Sequence, residues 1–213
     1  MPWFYYVVRV IVKTLLLLLT NWQVRGRENV PSKGAVIVVA NHLNLADTPV
    51  LGASLDRRVV FMAKRELFHS RVSRYFVRGL GAFSAQRGQL VREALRQASQ
   101  ILANSLALAV FPEGSRSKNA QLQSAFPGSA LIALRNGIPI LPVGITGTEK
   151  IRGAAWFLHR PKITVNIGRP FSLPPVGSKL ARAELAELTN SIMGRIAELL
   201  PPEYRGNYAE QRK

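Results

Sequence analysis

Cysteine is absent from the 213 residues, which excludes disulfide stapling, thiolate-held zinc, iron–sulfur clusters and a cysteine nucleophile. No Gly-x-Ser-x-Gly block is present, so a hydrolase-type serine nucleophile is not expected either. The segment Gly144–Lys150 lacks the spacing and the Ser or Thr of a nucleotide-binding P-loop. His69 and His159 stand apart from any ligand spacing, so no metal site is expected. There is no internal repeat, no low-complexity tract and no recognisable nucleic-acid-binding signature. Any catalysis must therefore draw on oxygen, nitrogen or bound cofactors.

Acidic residues are also scarce. Twelve Asp and Glu stand against 29 Lys and Arg, a formal net charge of +17 that attracts nucleic acid, anionic membrane or phosphorylated metabolites. Arg supplies 21 of the 29 cations, and its planar fork suits bidentate contact with phosphate. One stretch concentrates the charge: Arg57, Arg58, Lys64, Arg65, Arg71, Arg74 and Arg78, offset only by Asp56 and Glu66. It reads either as a solvated helical face or as a docking patch for a headgroup or carrier.

What is plentiful is apolar sequence. At 47% hydrophobic, the chain can bury the core of one large domain plus a short extension. Residues Trp3 to Leu19 are apolar and aromatic except for Arg9, Lys13 and Thr14. On a helix the two cations share one face, opposite most of Phe4, Tyr6, Val7, Val10, Ile11, Leu15 and Leu18. The pattern predicts a helix in the membrane interface, cations at the headgroups and aromatics below. A single span is the alternative, but seventeen helical residues reach only roughly 25 Å against a hydrocarbon core of about 30 Å. A helix packed on the domain's own core is the plainer explanation. A signal peptide is not expected, because no basic residues open the segment and no small-residue cleavage site follows.

Beyond a linker at Gln23–Gly34, strand-type runs alternate with helical patterns, predicting an α/β domain with a mixed, largely parallel sheet flanked by helices. Candidate strands are Ala35–Ala40, Val59–Ala63, Gly81–Ala85, Ala107–Phe111, Ile140–Ile145 and Ile163–Ile167. Helices are expected at Leu90–Asn104, at Ser129–Arg135 closed by Asn136-Gly137, and at about Leu180–Leu200, where Pro201-Pro202 stops the last.

Two clusters carry chemistry. Asn41 and His42 follow the first strand directly and so belong at its carboxyl end, the edge where open α/β sheets bind ligands. Asp47 comes five residues later, and a loop of that length can set its carboxylate on one imidazole nitrogen, leaving the other free as a general base. This is the His–Asp half of a catalytic triad with no protein nucleophile, so a substrate hydroxyl would attack. Asp47 also reads as the N-cap of a short helix Thr48–Ser54 with Pro49 in its first turn. The second cluster is Phe111-Pro112-Glu113-Gly114-Ser115-Arg116-Ser117, after another strand and therefore on the same rim. Gly114 lets backbone amides approach an anion, Ser115 and Ser117 donate hydrogen bonds, and Arg116 offers a fork to phosphate. Glu113 is expected to orient Arg116 or meet a substrate hydroxyl.

Together these blocks resemble the glycerolipid acyltransferase family that includes bacterial 1-acylglycerol-3-phosphate acyltransferases, whose signatures are Asn-His-x4-Asp and Phe-Pro-Glu-Gly-(Thr/Ser)-Arg-Ser. The resemblance runs from about Val24 to Phe171. It takes in Gly81–Gly88, where Arg87 matches a family arginine, and the apolar block Ile138–Val143. Two departures are visible: Gln86 precedes Arg87 where the family commonly has an acid, and Phe126-Pro127-Gly128 stands where a Lys near a Gly is frequent. The resemblance implies His42 as general base and Asp47 as its partner, with Arg87, Glu113, Gly114, Ser115 and Arg116 around the acceptor's glycerol phosphate. It implies acyl transfer from acyl-CoA or acyl carrier protein to the sn-2 hydroxyl of lysophosphatidic acid, without metal, resident cofactor or acyl-enzyme. Glycerol 3-phosphate or another lysophospholipid is the alternative acceptor. Residues 1–22 are then a membrane-interface or anchor helix and 23–213 the acyltransferase domain, on the cytoplasmic face of an anionic membrane. The rival classes are a non-catalytic membrane-surface adaptor and a basic nucleic-acid-binding protein; no nucleic acid is expected as partner.

Overall fold

In a computed structural model, residues 2–64, 83–85, 91–175 and 181–209 are described. The strands are β1 (Asn21–Arg25), β2 (Val36–Ala40), β3 (Val59–Lys64), β4 (Phe83–Ala85), β5 (Ala107–Val110), β6 (Ile140–Thr146) and β7 (Lys162–Ile167). The helices are α1 (Pro2–Leu19), α2 (Asp47–Ser54), α3 (Val91–Ala103), α4 (Gly128–Asn136) and α5 (Arg182–Glu198). The strands form one sheet in the order β1-β7-β6-β2-β5-β3-β4. From β6 to β4 every neighbour is parallel; β7 runs antiparallel to β6, and β1 is parallel to β7.

Val36-Ile37-Val38-Val39-Ala40 explains why β2 lies near the centre. All five residues are buried, and strands that face helices on both sides are apolar without alternation. Successive side chains still point to opposite faces. Val36, Val38 and Ala40 join one core cluster with Leu16 of α1 and Val50, Leu51 and Ala53 of α2. Ile37 and Val39 join the other, with Ala98 and Leu102 of α3, Ala130 and Ala133 of α4, and Ile192, Met193 and Ile196 of α5.

The expected α/β class and the largely parallel sheet are borne out, with two corrections nearby. Part of the predicted linker is strand β1, whose polar composition hides it; it pairs with β7 from Asn21↔Lys162 to Arg25↔Asn166. The cations of α1 also point the other way. Arg9 Nη2 lies 2.6 Å from Asp56 Oδ1, and Lys13 Nζ lies 3.4 Å from the same oxygen. Tyr5, Val8 and Leu16 are buried beside them, and the Tyr5 hydroxyl accepts the Val59 amide at 3.2 Å. Helical spacing put Arg9 and Lys13 on one face correctly, but their acid lies in the turn after α2, beyond the reach of local periodicity. The outward face of α1 therefore carries Trp3, Tyr6, Val7, Val10, Ile11, Leu17 and Leu18, all exposed. Among the described residues, no helix is long and apolar enough to cross a membrane.

Of the basic stretch, Arg65, Arg71, Arg74 and Arg78 lie outside the described residues. Arg57 serves the fold: its guanidinium donates to the carbonyls of Pro31, Gly34 and Ser105.

Candidate functional site

Three adjacent parallel strands, β6, β2 and β5, deliver Thr148, His42 and Glu113 to one sheet edge. The rim is stitched from side chain to main chain. Asn41, buried at the end of β2, donates through Nδ2 to the Ile145 carbonyl at 2.8 Å and accepts the Ile145 amide on Oδ1 at 2.7 Å. That pair of bonds fixes the exit of β2 against β6 just before His42.

His42 Nδ1 and Asp47 Oδ2 are 2.8 Å apart, Asp47 is fully buried, and the imidazole stacks on Phe111 with centroids 4.2 Å apart. The same Oδ2 accepts the amides of Leu43 at 2.6 Å and Asn44 at 2.7 Å, while Oδ1 accepts the Thr148 hydroxyl. A carboxylate taking this many donors is compensated for its burial. It cannot also cap a helix. Asp47 is itself the first residue of α2, no side chain caps that helix, and the carboxylate turns back to the loop before it. The expected N-cap role is thus corrected: the loop's own amides compete for the oxygens and win.

Glu113 differs from its expected role too. It is buried, with Oε1 accepting the His42 amide at 2.9 Å and Oε2 the Gln123 amide at 3.1 Å, so it clamps two loops instead of orienting Arg116. A further main-chain bond, Ser117 N to His42 O at 2.7 Å, closes the clamp. Burial pushes the Glu113 carboxyl up from 4.5 to about 7; the amides of His42 and Gln123 pull it down, and Asp47 adds to the rise. A carboxyl raised by folding stabilises the fold fully below its unfolded value, and this contribution is lost as pH rises through about 7. Replacing Glu113 by Gln removes the titration. Between pH 5 and pH 8, urea unfolding should then show stability falling by roughly 2–3 kcal/mol less in Glu113→Gln than in the parent. Equal slopes in the two proteins would reject the shift.

Arg116 is exposed on the rim, Ser115 is half-buried, and Gly114 has φ +65°, a backbone that favours glycine; a Cβ there would also press on the Phe126 ring. Arg87 lies outside the described residues. Thr148 is the buried residue that the sequence did not announce. Gly147, at φ +88°, turns the chain after β6 so closely that a Cβ would overlap the Lys162 carbonyl, and this turn aims Thr148 at Asp47. Its only local signal is its place two residues beyond a buried strand. Thr148→Val keeps the shape but leaves Asp47 Oδ1 without that donor. It should lower kcat on the order of tenfold with little change in KM, and Thr148→Ser should restore most of it. A loss confined to KM would place Thr148 at substrate instead.

An imidazole held by a buried carboxylate, in a chain without cysteine and with no serine hydroxyl bonded to it among the described residues, has the geometry of a general base acting on an external hydroxyl. The model of the Acyltransferase family matches residues 21–146, and the chain belongs to that family. It is 29% identical over 170 residues to the 1-acyl-sn-glycerol-3-phosphate acyltransferase of Streptococcus pneumoniae, covering 76% of this chain and 62% of that one. With the Bacillus subtilis protein of the same name it shares 25% over 190 residues, covering 88% and 92%. The crystal structure of the 1-acyl-sn-glycerophosphate (LPA) acyltransferase, PlsC, from Thermotoga maritima superposes with a TM-score of 0.69 at 28% identity, covering 92% of this chain and 79% of that chain. The chain spans less than two thirds of the length of the Streptococcus relative and about half that of a chloroplast relative from Arabidopsis thaliana.

Proposed function

We propose that this protein transfers a fatty acyl group from acyl-CoA or acyl carrier protein to the sn-2 hydroxyl of 1-acylglycerol 3-phosphate, yielding phosphatidic acid. The observation that carries it is the His42–Asp47 pair on the β2 rim, a half-buried imidazole on a fully buried carboxylate, in a family whose relatives bear that activity in their names. With Nδ1–H held by Asp47, Nε2 takes the proton of the acceptor hydroxyl. The oxygen attacks the thioester carbonyl, the tetrahedral adduct collapses, the carbon–sulfur bond breaks, and the thiolate leaves with the proton that His42 carries. Arg116, with Gly114 and Ser115 beside it, suits the acceptor phosphate, and Arg87 is the second cation proposed for it. Glu113 serves this site by holding the His42 loop.

The outward face of α1, apolar and free of charge, supports a peripheral hold on the cytoplasmic face of an anionic membrane, where the acceptor resides. Purified protein in phosphatidylglycerol-containing vesicles would be offered lysophosphatidic acid and glycerol 3-phosphate, each with acyl-CoA and acyl carrier protein thioesters. Mass spectrometry should find phosphatidic acid from the first acceptor. Product only from glycerol 3-phosphate would move the assignment within the family, and no acylation of either acceptor would end it.

A further inference from the structure

A second apolar projection stands between β6 and β7. There, after a first 3-10 turn at Thr148–Lys150, the chain makes a second, Trp156–His159, in which Phe157 is 41% and Leu158 70% exposed. Trp156 is half-buried with its ring edge-on to Phe157. These two large apolar side chains belong to neither core cluster, and water is a costly place for them. Cations flank them in sequence: Lys150 and Arg152 precede the turn, His159, Arg160 and Lys162 end it, and between Glu149 and Glu184 no acidic residue occurs. Aromatic and aliphatic tips flanked by exposed cations complement an anionic bilayer, with Trp at the headgroup level and the charges among the phosphates.

The position of this turn is as telling as its composition. At one end, Asn44 of the His42–Asp47 loop donates to the Ile151 carbonyl at 3.2 Å. At the other, Arg160 Nη2 donates to the Leu17 carbonyl in the last turn of α1 at 3.2 Å, and the Asn21 amide donates to Pro161 O at 3.0 Å. The projection is thus tied both to the end of α1, where Leu17 and Leu18 are exposed, and to the catalytic loop, where Leu45 is 58% exposed.

We propose that the Trp156–His159 turn is a second lipid-inserting element, which seats Phe157 and Leu158 in an anionic bilayer and holds the Leu45 lip of the catalytic loop at its surface. This rests on the membrane reading of α1 given above. It adds a second point of attachment, so that the chain docks in one orientation with the rim facing the lipid.

The absence of cysteine makes the test direct. Single variants Leu158→Cys, Ile11→Cys on the outward face of α1, and Asn190→Cys on α5 across the sheet each carry one environment-sensitive fluorophore, and are mixed with phosphatidylglycerol/phosphatidylcholine vesicles. The label at 158 should shift to the blue with that at 11, while that at 190 stays in water. A shift at 11 without one at 158 overturns this proposal and leaves α1 as the only attachment. No shift at either overturns both. A shift at 158 in buffer alone that grows with protein concentration would mean that a second copy covers the turn, and also overturns it. In parallel, Phe157→Ser with Leu158→Ser should weaken vesicle binding roughly tenfold or more while turnover of a short-chain, water-soluble lysophosphatidic acid stays within about twofold. Unchanged vesicle binding would overturn the proposal.

Discussion

His42→Ala is expected to lower acyl transfer by roughly 10²–10⁴-fold while leaving the fold and vesicle binding intact. The separation of the two effects follows from how the loop is built. Its main chain is held by the His42 amide on Glu113, the Ser117 amide on the His42 carbonyl, and the Leu43 and Asn44 amides on Asp47, none of which uses the imidazole. Truncation removes the stack on Phe111 and one donor to Asp47 Oδ2, whose two amide donors stay in place. A thermal midpoint lowered by no more than a few degrees, together with near-total loss of product, is the expected pair of readings. A rate close to that of the parent would remove His42 from the chemistry and favour a non-catalytic surface protein. A rate lost together with the fold would be uninformative for Ala alone, so His42→Gln, which keeps a polar side chain of similar reach, is measured beside it and should be equally inactive.

Most of the rim is legible in the sequence, and the reason is physical. β2 and β5 are buried on both faces, which writes them into sequence as unbroken apolar runs, and residues just past such runs must emerge at the carboxyl edge. That logic brought His42, Asp47 and Glu113 to one edge correctly. It could not show what each side chain grips. Glu113 binds two amides, and amides have no residue identity to read. Thr148 meets an acid 101 positions away, and nothing near it distinguishes it from any threonine after a strand. β1 is hidden for the converse reason: a polar edge strand carries little alternation, and its one partner in the sheet is β7. The same limit misdirected α1, where periodicity located the cationic face but not Asp56, the acid that turns it inward.

The hydrogen bonds around Asp47 make its two obvious variants behave differently, and their contrast tests the site more sharply than either alone. In Asp47→Asn, one oxygen becomes an NH₂ donor. Facing His42, that donor would also meet the Leu43 and Asn44 amides head-on, whereas facing Thr148 it meets a hydroxyl that can rotate to accept. The asparagine oxygen must therefore take the His42 side. The imidazole keeps its Nδ1–H and its orientation but loses the negative charge that stabilises it as it becomes cationic. Activity should fall by about two orders of magnitude, the lower end expected when a base loses support but not alignment. Asp47→Ala removes the acceptor altogether, leaving the Leu43 amide and the Thr148 hydroxyl buried without it. At about 1–3 kcal/mol for each group left unsatisfied, this variant should be several kcal/mol less stable, as well as less active than the Asn variant. Urea midpoints and turnover on the same preparations give both axes. Asn stable but slow, with Ala unstable and slower still, is the pattern that four donors on one carboxylate require. Equal stability of the two variants would show that Asp47 does not hold the loop, and equal activity that its charge does not matter to the base.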